Sequence, residues 1–94
     1  MPDTKVANRE LTIINKLGLH ARAAAKLVTL ASKFESEITI KRGEQAVNAK
    51  SIMGVMMLAA AKGVVIEVCA DGADADEALE QISELVRGRF GEPE

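Results

Sequence analysis

The chain lacks tryptophan and tyrosine altogether, and its only aromatic residues are Phe34 and Phe90. A sheet that reads RNA stacks bases on exposed strand aromatics, so that use of a small sheet finds no support. Cysteine occurs once, as Cys69 in an apolar run. It cannot form an internal disulfide, which fits a reducing compartment. One histidine, one cysteine and scattered carboxylates have no metal-ligand spacing, so no metal site is expected, and the chain is read as carrying no cofactor. The start, Met1-Pro2-Asp3-Thr4-Lys5, lacks the apolar stretch of a signal peptide. No apolar run approaches membrane-spanning length. These absences predict a soluble, cytoplasmic protein that does not insert into membranes.

What remains is an aliphatic chain of 94 residues, 48% of them hydrophobic. That length predicts one small domain, 1–94, with a core of aliphatics, alanine and methionine. Net charge is −2, unevenly spread: residues 1–50 hold nine Lys/Arg against five Asp/Glu, and residues 51–94 hold three against nine. The basic half favours acidic or phosphorylated partners. Its excess is too small to argue for nucleic acid.

Along the chain, residues 1–8 are polar and read as frayed. Residues 10–14 read as a strand, and 21–34 as a helix with Ala24, Leu27, Val28, Ala31 and Phe34 at helical spacing. Residues 37–41 alternate as a half-buried strand, turn at 42–44 and return as a hairpin partner over 45–49. Ser51 suits the N-cap of a short helix from Ile52 to about Ala61, ended by Gly63. Residues 64–70 form a strand by β-branched content. Asp74 and Glu77 have capping-box spacing before a last helix with Ala78, Leu79, Ile82, Leu85 and Val86 on one face. Gly88 and the tail through Pro93 end it. The order βαββαβα predicts an α+β fold, an antiparallel sheet with helices on one face.

The sole histidine, His20, follows a glycine turn at Gly18 and opens an alanine-rich helix, with Arg22 two residues on. Imidazole suits proton or phosphoryl exchange near neutral pH. A helix N-terminus offers unpaired N–H groups that favour an anion. Arg22 opposes the helix dipole in that first turn, a cost more easily explained if an anion visits. The three features together suggest a histidine that carries a phosphoryl group. A surface or capping histidine is the plainer alternative.

A second constellation is Lys50-Ser51-Ile52-Met53-Gly54-Val55-Met56-Met57-Leu58, apolar on nearly every face. Val55, Leu58 and Ala59 share one side, and Ile52, Met53 and Met56 another. A helix on a small sheet buries one face, so the second group is expected to remain partly exposed as an adaptable docking patch. Core filling is the alternative for the methionines. Ser51, an ordinary cap on one reading, is also a place where a phosphate is accepted at little structural cost.

Gly18-Leu19-His20-Ala21-Arg22, with Lys50-Ser51-Ile52-Met53-Gly54-Val55-Met56 some thirty residues on, resembles the HPr family. These are the histidine phosphocarriers of the bacterial phosphoenolpyruvate-dependent phosphotransferase system, with sugar and nitrogen-related branches. The resemblance covers nearly the whole chain. It implies an open-faced sandwich, a four-stranded antiparallel sheet with three helices on one face. It also implies that His20 accepts a phosphoryl group on Nδ1 from phosphorylated enzyme I and donates it to an enzyme IIA domain. By the same resemblance Arg22 pairs with the phosphoryl oxygens. Ser51 matches a regulatory serine, modified in some bacteria by an HPr kinase/phosphorylase, and Ile52, Met53 and Met56 match partner-facing positions. Such a chain is a stoichiometric carrier more than an enzyme, and a monomer is expected. Ala23 stands where the family usually has proline; alanine keeps the helix but gives up rigidity. Two alternatives stay open: a regulatory module docking through the Ile52/Met53/Met56 patch, and a ligand-sensing domain.

Overall fold

The computed structural model describes residues 5–94. The four strands are β1 (Val6–Thr12), β2 (Glu37–Arg42), β3 (Gln45–Asn48) and β4 (Val65–Asp71). The helices are α1 (Ala21–Ala31), α2 (Ile52–Met57) and α3 (Ala75–Arg87), followed by a 3-10 turn at Arg89–Gly91. The sheet order is β1-β4-β2-β3, and every pairing is antiparallel.

Strand alternation decides which face is covered. Leu11, Ile38, Ile40, Ile66, Val68 and Ala70 are buried, while their neighbours Glu10, Thr12, Glu37 and Lys41 face solvent. The buried row meets Ala23, Ala24, Leu27 and Ala31 of α1, Val55 of α2, and Ala75, Ala78, Leu79, Ile82 and Val86 of α3 in one core. Alanine on α1 and α3 lets the helices sit close, and the long aliphatics fill the gaps. Each buried Leu or Ile contributes about 1.5–3 kcal/mol by leaving water. Phe90, beyond the last helix, is also fully buried.

Several boundaries differ from the sequence-based expectation. The first strand runs over Val6–Thr12 instead of 10–14 because it pairs along all of β4, from Val6 opposite Asp71 to Thr12 opposite Val65. Of the stretch expected to fray, residues 6–8 are therefore strand, and 1–4 lie outside the described residues. Ile13 leaves the strand yet stays buried, exchanging backbone hydrogen bonds with Val64 and Gly63. Helix α1 ends at Ala31, short of residue 34, although Phe34 remains in the core. Helix α2 ends at Met57 instead of near Ala61, and Ala59 turns left-handed at φ 49°. Ala59 is thereby exposed and does not join Val55 and Leu58 in the core. Arg42 satisfies the freed carbonyls, donating to Leu58 O at 2.8 Å and Ala59 O at 2.9 Å.

The capping box expected at Asp74 and Glu77 does not form. Asp74 instead reaches across to the segment between α1 and β2. Its carboxylate accepts from the N–H groups of Glu35 (2.9 Å) and Ser36 (3.0 Å) and from the Ser36 hydroxyl. A carboxylate with three donors at another loop has no call on its own helix terminus.

Candidate functional site

The site begins at a turn. Gly18 has φ 68°, a left-handed conformation that suits glycine. A Cβ there would also lie 2.5 Å from Ala60 O. The close approach lets Leu19 N donate to Ala60 O at 2.9 Å. Leu19 is pinned inward and the next residue faces out: Leu19 is 5% exposed, whereas the His20 side chain is 29% exposed.

His20 is the extended residue that caps α1, with φ −76° and ψ 179°. Its carbonyl accepts the first helical bond, from Ala24 N at 2.8 Å. No side chain caps this helix, and its first turn holds no acidic residue. The N–H groups of Ala21, Arg22 and Ala23 have no acceptor among the described residues. That end of α1 is thus electropositive and open.

The imidazole is held from one side only. Its Nε2 lies against the Glu92 carboxylate, and Nδ1 has no hydrogen-bond partner among the described residues. Glu92 is itself gripped by the Asn15 amide, which donates to Glu92 Oε1 at 3.0 Å and to Gly18 O at 2.9 Å. Asn15 is fully buried, and its Oδ1 has no partner among the described residues. Both neighbours of the amide are acceptors, so the NH₂ end must face them. The Glu92 carboxyl is held below the usual carboxylate range, first by the Asn15 hydrogen bond and then by His20.

Arg22 is exposed and forms neither a salt bridge nor a hydrogen bond among the described residues. It lines one open cleft with Lys16, Leu17, His20, Glu92 and Pro93. The cleft places His20 and Arg22 side by side, and it adds Glu92 and, through it, Asn15, which the sequence reading did not single out. Asn15, three residues before Gly18, carries a turn signature that could have marked it. Glu92 lies 72 residues from His20, and no local pattern announces it.

Ser51 caps α2 as expected, its hydroxyl accepting from Gly54 N at 3.1 Å. Val55 and Leu58 are buried, while Ile52, Met53, Met56 and Met57 are exposed, Met53 to 73%. Leu17, in the His20 cleft, is exposed as well. Helices α1 and α2 are in contact, so the structure brings both constellations into one helical layer.

Residues 7–88 match a family model described as the PTS HPr component phosphorylation site. The chain is 55% identical over 86 residues to the phosphocarrier protein HPr of Neisseria meningitidis serogroup A, covering 92% of this chain and 97% of that protein. It is 51% identical over 84 residues to the phosphocarrier protein NPr of Shewanella violacea, covering 89% and 92%. The crystal structure of HPr-C-His from Thermoanaerobacter tengcongensis superposes with a TM-score of 0.90 at 43% identity, covering 94% of this chain and 99% of that one.

Proposed function

The chain belongs to the HPr family of phosphocarriers, and from that premise we propose that it carries a phosphoryl group on Nδ1 of His20. The donor is phosphorylated enzyme I and the recipient an enzyme IIA domain. The observation that carries this reading is the asymmetry of the ring: Nε2 is occupied by Glu92, and Nδ1, beside an uncapped helix start, has no partner among the described residues. A neutral imidazole with Nε2 protonated has its lone pair on Nδ1. That lone pair can attack phosphorus.

Once the group has arrived, its oxygens lie where the helix N–H groups and Arg22 oppose their charge. Arg22 has no competing carboxylate among the described residues, so its guanidinium is available to the phosphoryl oxygens. Both contacts are electrostatic and exposed, which keeps the phosphohistidine from becoming too stable to pass on. The protein acts as a monomeric, cytoplasmic carrier consumed and regenerated each cycle, without a cofactor of its own. Ile52, Met53 and Met56 form the docking patch for both partners. Ser51 is the regulatory position, for an HPr kinase/phosphorylase where the host has one.

The test is incubation with phosphoenolpyruvate and enzyme I. One acid-labile, alkali-stable phosphate per chain is expected, and His20→Ala should take up none while keeping its circular dichroism spectrum. Acid-labile labelling of folded His20→Ala would move the acceptor elsewhere. An unlabelled parent, under conditions that label a known carrier, would favour a docking module in which His20 is incidental.

A further inference from the structure

Glu92 lies outside both sequence motifs, yet the fold spends several interactions on placing it. Phe90 is fully buried and anchors the tail, and Lys26 Nζ donates to Phe90 O at 2.6 Å. Glu92 N then donates to Arg89 O at 2.9 Å, closing the turn that points the carboxylate back at α1. Beyond it, Lys16 N donates to Glu94 O at 2.9 Å and ties the tail to the loop before His20. One carboxylate oxygen meets Asn15 and the other meets the ring. Asn15 is entirely buried and tolerates an unpartnered Oδ1 in order to hold this arrangement. A loose surface contact would not need such support.

An ionised carboxylate only accepts hydrogen bonds. We infer that Glu92 is a positioning residue that keeps the proton on Nε2 of His20 through both halves of phosphoryl transfer. The inference rests on the carrier reading and assigns a new participant to the same site. In acceptance, the Nδ1 lone pair attacks phosphorus on the phosphorylated imidazole of the donor. The P–Nδ1 bond forms, the donor's P–N bond breaks, and that electron pair stays on the donor nitrogen. His20 is now phosphorylated on Nδ1, protonated on Nε2 and cationic, with Glu92 opposing the positive charge.

In donation, a lone pair of the recipient attacks the same phosphorus. The P–Nδ1 bond breaks and its electrons return to Nδ1. Because Nε2 still holds its proton, the ring leaves as neutral imidazole, ready to accept again. Were that proton lost to water, the leaving group would be an imidazolate, a far poorer one. No proton enters or leaves His20 anywhere in the cycle. A carboxylate fixing the far nitrogen of a reactive imidazole is a familiar way to set its tautomer.

The single histidine makes this directly measurable, since ¹⁵N-histidine labelling gives one ring. The full chain, Glu92→Ala and the near-isosteric Glu92→Gln are compared. The parent should show a slowly exchanging, downfield Nε2-bound proton without any phosphate present. Glu92→Ala should lose it, and Glu92→Gln should move it upfield by replacing a charged acceptor with a neutral one. In single-turnover donation to the IIA domain, the saturating rate should fall roughly tenfold in Glu92→Ala, with the half-saturating concentration unchanged. A purely structural tail contact would alter docking as well, or neither. If Glu92→Ala melts well below the parent, Glu92→Gln is read alone against the same expectations. An Nε2 proton that is unchanged in the variants, or a variant without it that donates at the parent rate, overturns the inference. A parent that takes up no phosphate overturns the carrier reading instead, and the Nε2 signal still reports on Glu92.

Discussion

Arg22 and Lys33 are both exposed cations, one at the start of α1 and one just past its end. A helix of that length is about 16 Å long, roughly two Debye lengths at physiological salt. Only Arg22 is therefore close enough to a phosphoryl group on His20 to act on it. Arg22→Glu should slow single-turnover phosphorylation roughly tenfold or more, whereas Lys33→Glu should change it less than about twofold. Equal effects would reduce Arg22 to a solvated charge. At this scale the sequence made His20, Arg22 and Ser51 visible, because each belongs to a short run whose chemistry and helix position agree. Asn15 and Glu92 were hidden for different reasons. Asn15 resembles any turn asparagine until its burial is known. Glu92 resembles any tail carboxylate until the chain folds back.

Elements meet through side chains that abandon their own helix for a neighbour. Asp74 leaves the start of α3 uncapped in order to hold Glu35 and Ser36. Its carboxyl is held below the usual range, first by the Ser36 hydroxyl and then by the N–H of Glu35. The unfolded chain therefore binds this proton more readily than the folded one. Stability is fully present above about pH 4, the ordinary carboxylate value, and is lost as pH falls through the lower folded value. Glu92, lowered in the same direction, adds to that loss. Asp74→Asn should lower the melting temperature at pH 7 and flatten its decline below about pH 4, as read by thermal melts across pH. A variant whose acid limb parallels the parent's would remove Asp74 from this account.

Ser51 offers the complementary case, a cap that stays at home. Aspartate caps a helix about as well as serine, so Ser51→Asp should shift the melting temperature by no more than about 4 °C. It should nonetheless slow phosphorylation of His20 by enzyme I, because a charge at the edge of Ile52, Met53 and Met56 must be desolvated on docking. Transfer at the parent rate would leave Ser51 as an ordinary cap. Element types and order were legible from periodicity and β-branched content. Boundaries were less so: the length of β1 is set by β4, and the end of α2 by Arg42 reaching its carbonyls.

At the scale of the whole molecule, Phe90 ties the tail to the core. It adopts φ 55°, which a bulky residue tolerates only when its surroundings fix it. Phe90→Ala should cost about 3–5 kcal/mol in chemical denaturation, and should weaken phosphoryl transfer because Glu92 loses its anchor. Stability loss with transfer unaffected in the folded fraction would show that the tail serves packing alone. The four-stranded sheet and its covered face followed from the order of elements, while the seat for Phe90 was invisible because it lies beyond the last periodic segment. The contact between His20 and Glu92 spans 72 residues and closes only when α3 and the turn after it have settled on the sheet and α1. Closing so long a loop is rewarded only by the finished set of contacts. The contact therefore reports on folding: a half-folded copy can display His20, but a proton shared between Nε2 and Glu92 becomes protected only when the turn after α3 has reached the start of α1.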